Sequence, residues 1–218
     1  MKIIYIIVEG QTEEEFVKMI VTPYLRGHNI YDVRPIKIQT SKSHKGGFVN
    51  YSHLKNDVLR LLKQQKDIIV STLVDFFRIP GSIPNFTKAM KQSNSLQKVM
   101  FLEKSIFEDI GDSRFIPYIQ LHEFEALLFS SINGFNGFWN TEVKIINQVS
   151  KIINDYPNPE DINDNPVTAP SKRLKSIIHD YNKILHGNLI AEENGIDVII
   201  AKCPRFRNWI ENIVFMAK

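Results

Sequence analysis

At 218 residues, 43% hydrophobic and 23% charged, the chain has the make-up of a globular protein, which excludes a disordered or fibrous polypeptide. A formal net charge of +3 and a pI near 8.8 leave room for a phosphate-bearing partner but exclude a dedicated basic arm. Cys203 is the single cysteine, which excludes an internal disulfide and a cysteine-based zinc cluster, fits a reducing cytoplasm, and leaves oxygen or imidazole as metal ligands.

The first apolar run, Ile3 to Val8, is β-branched or aromatic without alternation. That is the pattern of a strand covered on both faces, as in a parallel sheet, and it is too short to cross a membrane. Glu9-Gly10 ends it. Thr12 followed by Glu15 reads as a capping box, and Phe16, Met19, Ile20 and Tyr24 continue at helical spacing until Pro23 and Gly27 break the pattern. Residues 32–39 form a second predicted strand and residues 40–47 a polar, basic loop. Leu54, Val58, Leu61 and Leu62 stripe a helix over 52–65, and residues 68–74 are a third strand that stops at Asp75. Pro80, Gly81 and Pro84 force a turn before a helical insertion near 81–110.

A fourth strand is predicted over 115–121, with Pro117 assigning it to an edge or bulge, and it leads into His122-Glu123-Phe124-Glu125. Beyond Leu128 the spacing is helical: Val143, Ile146, Val149 and Ile153, then Leu174, Ile177, Ile178 and Tyr181, then Trp209, Ile210 and Ile213. The expected fold is α/β. Residues 1–130 would form a mostly parallel sheet flanked by helices, and residues 131–218 a helical region packed on it.

In open α/β sheets, ligands collect outside the carboxyl ends of the strands. Here Glu9, Asp75, and the pair Glu123 and Glu125 each follow a predicted strand. A single acid at such a place is commonly a turn residue or helix cap. Three strand ends together point to carboxylates that a hard cation, Mg²⁺ or Mn²⁺, would neutralise. Glu13 either joins them from the first helical turn or simply favours the helix N-terminus. Glu123 and Glu125 would share a face in a strand and diverge on a helix. His122 reads as a base, a ligand, a phosphate contact or an ordinary hydrogen-bonder. Lys172 and Arg173 open a helix whose N-terminus favours an anion, against an ordinary cap at Thr168 or Ser171. Lys42, His44, Lys45, Arg205 and Arg207 can contact a nucleic-acid backbone or be merely solvated, and Tyr118, Trp139 and Trp209 are expected in the core.

The order strand-Glu9-helix, strand, helix, strand-Asp75 looks like the TOPRIM fold of topoisomerases, primases and overcoming-lysogenization-defect nucleases. A fuller resemblance lies in Val8-Glu-Gly-Gln-Thr-Glu13, Leu73-Val-Asp-Phe-Phe77 before Pro80, His122-Glu-Phe-Glu-Ala126, Thr168-Ala-Pro-Ser-Lys-Arg-Leu174, and Cys203-Pro204 before the Trp209 helix. Together these resemble the bacterial family catalogued as domain of unknown function 4276. The resemblance implies a TOPRIM-like domain, Mg²⁺ on the acids, nuclease activity, and work beside an ATPase in restriction or phage defence.

The usual TOPRIM Asp-x-Asp is here Asp75-Phe76-Phe77. Either Glu123 or Glu125 replaces the missing acid, or the site holds one ion, or catalysis is lost. The expected activity is metal-dependent cleavage of DNA or RNA, with Glu9 and Asp75 as primary ligands, Glu13, Glu123 or Glu125 completing the shell, and Lys172 on the scissile phosphate. Its rival is a TOPRIM-like subunit that binds an ATPase or nucleic acid without chemistry.

Overall fold

The computed structural model describes residues 2–39, 47–162, 165 and 167–218. The loop cations Lys42, His44 and Lys45 lie outside the described residues. A parallel sheet organises the N-terminal part: β1 (Ile3–Val8), β2 (Val33–Lys37), β3 (Ile68–Asp75), β4 (Phe115–Ile116) and β5 (Ile119–Gln120). The order is β2-β1-β3-β4, with β5 also pairing β3. β1 and β3 are continuous apolar runs because both faces are covered. β2 tolerates Pro35 because it lies at the edge, where a missing N–H breaks no ladder.

The fourth predicted strand is split in two by Pro117. Thr72 repairs the gap: its hydroxyl donates to the Tyr118 carbonyl (2.9 Å) and accepts from the Tyr118 N–H (2.8 Å). The ladder then resumes, with Val74 beside Ile119 and Asp75 beside Gln120.

Helices cover the two faces. On one side α3 (Tyr51–Gln64), α4 (Phe86–Met90) and α5 (Ser95–Ile110) bury Leu54, Val58, Val99, Leu102 and Ile106 against Tyr5, Ile7, Val70 and Val74. On the other, α1 (Gln11–Phe16) and α2 (Thr22–Gly27) flank a π-helical turn, Val17–Val21. Pro23 therefore stays inside the helical run instead of ending it: the wide turn bonds the Thr22 N–H to the Val17 carbonyl and reshuffles the ladder where proline has no donor. The capping box is not used either, since Gly10 is the N-cap and Thr12 lies within the first turn.

The same face takes the C-terminal helices α6 (Asn133–Trp139), α7 (Val143–Asp155), α8 (Pro170–Ile177), α9 (Lys183–Asn194), α10 (Ile196–Lys202) and α11 (Pro204–Ala217). Their Phe135, Val149, Leu174, Ile190, Phe206 and Trp209 join Ile4, Ile6 and Leu73 in one core. Tyr118 and Trp209 are both buried and stack on each other, with ring centroids 4.6 Å apart, as core residues. The predicted stripe through Tyr181 does not form one helix: α8 ends at Ile177, and Asn182 caps a new one by accepting from the Leu185 N–H (3.0 Å). Among the described residues, no helix is long and apolar enough to cross a membrane.

Candidate functional site

Register brings the acids together. β1 and β3 pair so that Val8 stands beside Leu73, which sets Glu9 and Asp75 at the same edge of the sheet. The Asp75 N–H points to Glu9 Oε2 at 3.4 Å. Glu13 reaches them from the first turn of α1, and Gly10 makes the room, because a Cβ there would stand 3.2 Å from Glu13 Oε2.

Beyond β5, His122 takes a left-handed backbone (φ 71°) and its carbonyl accepts from the Phe77 N–H (2.8 Å). This turn starts a 3₁₀ helix, Phe124–Ser130, whose first N–H donates to Asp75 Oδ1 (2.9 Å). Glu123 is extended and Glu125 is in the helical turn, so the two diverge. Glu123 accepts from the backbone N–H (2.9 Å) and hydroxyl (3.0 Å) of Ser171, and thereby caps α8. Glu125 turns inward.

At the centre is a residue the sequence reading did not single out. Lys183, the first residue of α9, places Nζ 3.2 Å from Glu13 Oε1, 3.4 Å from Glu125 Oε2 and 3.8 Å from Asp75 Oδ2. A cation at a helix N-terminus is electrostatically misplaced, and that is the signal that would have marked it. Asn188 holds α9 in place by donating to the Thr12 carbonyl (3.3 Å). Gly134 lets α6 come close to it, because a Cβ would fall 2.4 Å from the Ile190 carbonyl. Tyr181 is buried nearby, and among the described residues its hydroxyl and both Glu125 carboxylate oxygens lack hydrogen-bond partners.

Burial dominates the electrostatics. It pushes Asp75 well above the usual carboxylate range; Lys183 opposes this, while Glu13, Glu9 and Glu125 add to it. Burial, reinforced by Glu13, also raises Glu9. Glu125 is raised by burial against the pull of Lys183. For Lys183, burial would lower the pKa, but Asp75, Glu125 and Glu13 outweigh it and hold the ammonium charged. Burial also raises the Tyr181 hydroxyl.

The other candidates lie elsewhere. Lys172 is exposed in the first turn of α8, and among the described residues it is Lys183 whose ammonium pairs with these carboxylates. Arg173 donates to the Thr168 carbonyl and lies over the Tyr156 ring, and Arg205 pairs with Glu103. His122 lines a separate cavity with Asn94, Glu160 and Asp161.

The model of the family described as Domain of unknown function (DUF4276) matches residues 8–213. The chain belongs to that family. No curated protein and no solved structure matches this member of it.

A divalent ion fits the donor chemistry of this site. Glu9, Glu13, Asp75 and Glu125 offer the hard oxygens that Mg²⁺ and Mn²⁺ take, and the bare oxygens of Glu125 are suited to such a ligand. Three of them stand around the Lys183 ammonium, and among the described residues no three His, Cys, Asp or Glu side chains are arranged to hold a metal.

Proposed function

We propose that the chain is a TOPRIM-like nuclease, dependent on Mg²⁺ or Mn²⁺, that hydrolyses phosphodiester bonds of DNA or RNA. The observation that supports this reading is the convergence of three carboxylates from separate elements on the Lys183 ammonium, with Glu9 beside Asp75, at the carboxyl edge of a parallel sheet. A divalent ion bound there would supply an activated water and stabilise the leaving oxygen. Glu9 and Asp75 are its main ligands, with Glu13 and Glu125 completing the set. Glu123 acts as a positioning residue that caps α8, and exposed Lys172 in the first turn of that helix would contact a nucleic-acid phosphate. The buried Cys203 suits a cytoplasmic setting, and partnership with an ATPase in restriction or phage defence is part of the same reading.

The test is cleavage of labelled single- and double-stranded DNA and RNA with each metal. Glu9→Gln and Asp75→Asn are expected to lose roughly a hundredfold or more while keeping the wild-type circular dichroism spectrum. Unchanged cleavage by both variants, or turnover of free nucleotides in preference to polymer, would overturn the assignment. A second reading, a non-catalytic subunit that binds an ATPase or nucleic acid, is favoured by Phe77 at the place of the second acid and by Lys183 within the cluster. It requires co-purification with a partner and no metal-dependent cleavage.

A further inference from the structure

The acids and the lysine at the sheet edge are held very differently. Asp75 is fixed by the Phe124 N–H, Glu9 by the Asp75 N–H, and Glu13 by the first turn of α1. The Glu125 and Glu13 side chains are only 1% and 5% exposed, whereas Lys183 is 36% exposed on a flexible four-carbon stem. Backbone N–H groups tie Asp75 and Glu9, burial confines Glu13 and Glu125, and the lysine is the member with a path to solvent.

The ammonium also fits among these acids loosely. Charge-assisted N–H···O bonds are about 2.7–2.9 Å long. The Lys183 contacts to Glu13, Glu125 and Asp75 are 3.2, 3.4 and 3.8 Å, so one point charge is shared among acids it cannot bond well. Among the described residues, both oxygens of Glu125 and the Tyr181 hydroxyl remain without a hydrogen bond. A divalent ion binding the same oxygens would meet Nζ at close range and be repelled by it.

We infer that Lys183 is an internal placeholder cation: its ammonium holds the carboxylates together in the absence of metal and must leave before a divalent ion can bind, so the chain's own lysine sets the metal concentration at which the site loads. The inference rests on the acidic metal site proposed above and adds its regulation. It does not depend on the substrate.

Two measurements on the full-length protein test it. In calorimetric titration with Mn²⁺ alone, Lys183→Met is expected to bind about tenfold more tightly than wild type, equivalent to about 1.4 kcal/mol. Lys183→Arg, which keeps the charge, should bind no more tightly than wild type. In the second, wild-type protein is reductively methylated and mapped by mass spectrometry. Lys183 should label faster in saturating Mg²⁺ than in chelator, because its amine is released to solvent. This needs no variant and stands even if Lys183→Met fails to fold. Binding by wild type with unchanged or slower labelling of Lys183, or with no gain in Lys183→Met, would overturn the placeholder while leaving the metal site intact. No binding by wild type or by a folded Lys183→Met would overturn both.

Discussion

Two buried carboxylate groups in this molecule are built on opposite plans. Near α11, Glu160 accepts from the N–H groups of Arg205 (2.8 Å) and Phe206 (3.0 Å), and Glu103 accepts from the Ile119 N–H (2.8 Å) and the Arg205 guanidinium (2.7 Å). Here two acids meet an arginine and three backbone donors. At the sheet edge three acids share one loosely seated lysine, and among the described residues the Glu125 carboxylate has no hydrogen-bond partner. Both groups are buried, so burial alone does not mark a site. What separates them is whether the protein completes the hydrogen bonds of the carboxylates, as structural acids require and a ligand-binding frame does not.

Breaking the completed group should cost most. Glu103→Ala leaves a largely buried guanidinium and the Ile119 N–H without their acid, and chemical denaturation should show a loss of roughly 3 kcal/mol. The reverse sign is expected at the sheet edge. Glu125→Gln removes one of several crowded charges, so the metal-free protein should gain about 1 kcal/mol while losing divalent-ion affinity. A loss comparable to that of Glu103→Ala would erase the contrast.

The smallest effect is in pH. Asp75, Glu9 and Glu125 are all raised in the folded protein, which therefore binds protons that the unfolded chain has released. Their contribution to stability falls as pH rises from the ordinary carboxylate range through the raised values, and is recovered on acidification. The melting temperature in chelator should accordingly rise as the pH is lowered from neutrality toward the ordinary carboxylate range. Glu103 and Glu160 are also raised by burial and act in the same direction, so the diagnostic quantity is the change in slope. Asp75→Asn or saturating Mn²⁺ should flatten the profile, and an unchanged slope in both would remove the sheet-edge acids as its cause.

The sheet was legible because unbroken β-branched runs have few alternatives, and the acids because each closes such a run. The fate of Glu123 was not. The choice between strand and helix at Phe124 decides whether Glu123 and Glu125 share a face, and it depends on the left-handed turn at His122 and on a distant donor, Ser171. Lys183 was hidden for a related reason. Its helix begins after Asn182 without a strong apolar stripe, and its partners arrive from Glu13, Asp75 and Glu125. Pro23 misled in the opposite direction, since a local rule gave way to a π turn.

The tie from Asn188 to Thr12 joins residues 176 positions apart in the chain, and Lys2 donates to the Met216 carbonyl 214 positions away. During synthesis the first acids leave the ribosome long before α9 exists, and contacts of such sequence separation form late. A nascent chain can assemble β1 to β3 while its carboxylates are still hydrated. The acidic centre closes only when α9 brings Lys183 to it.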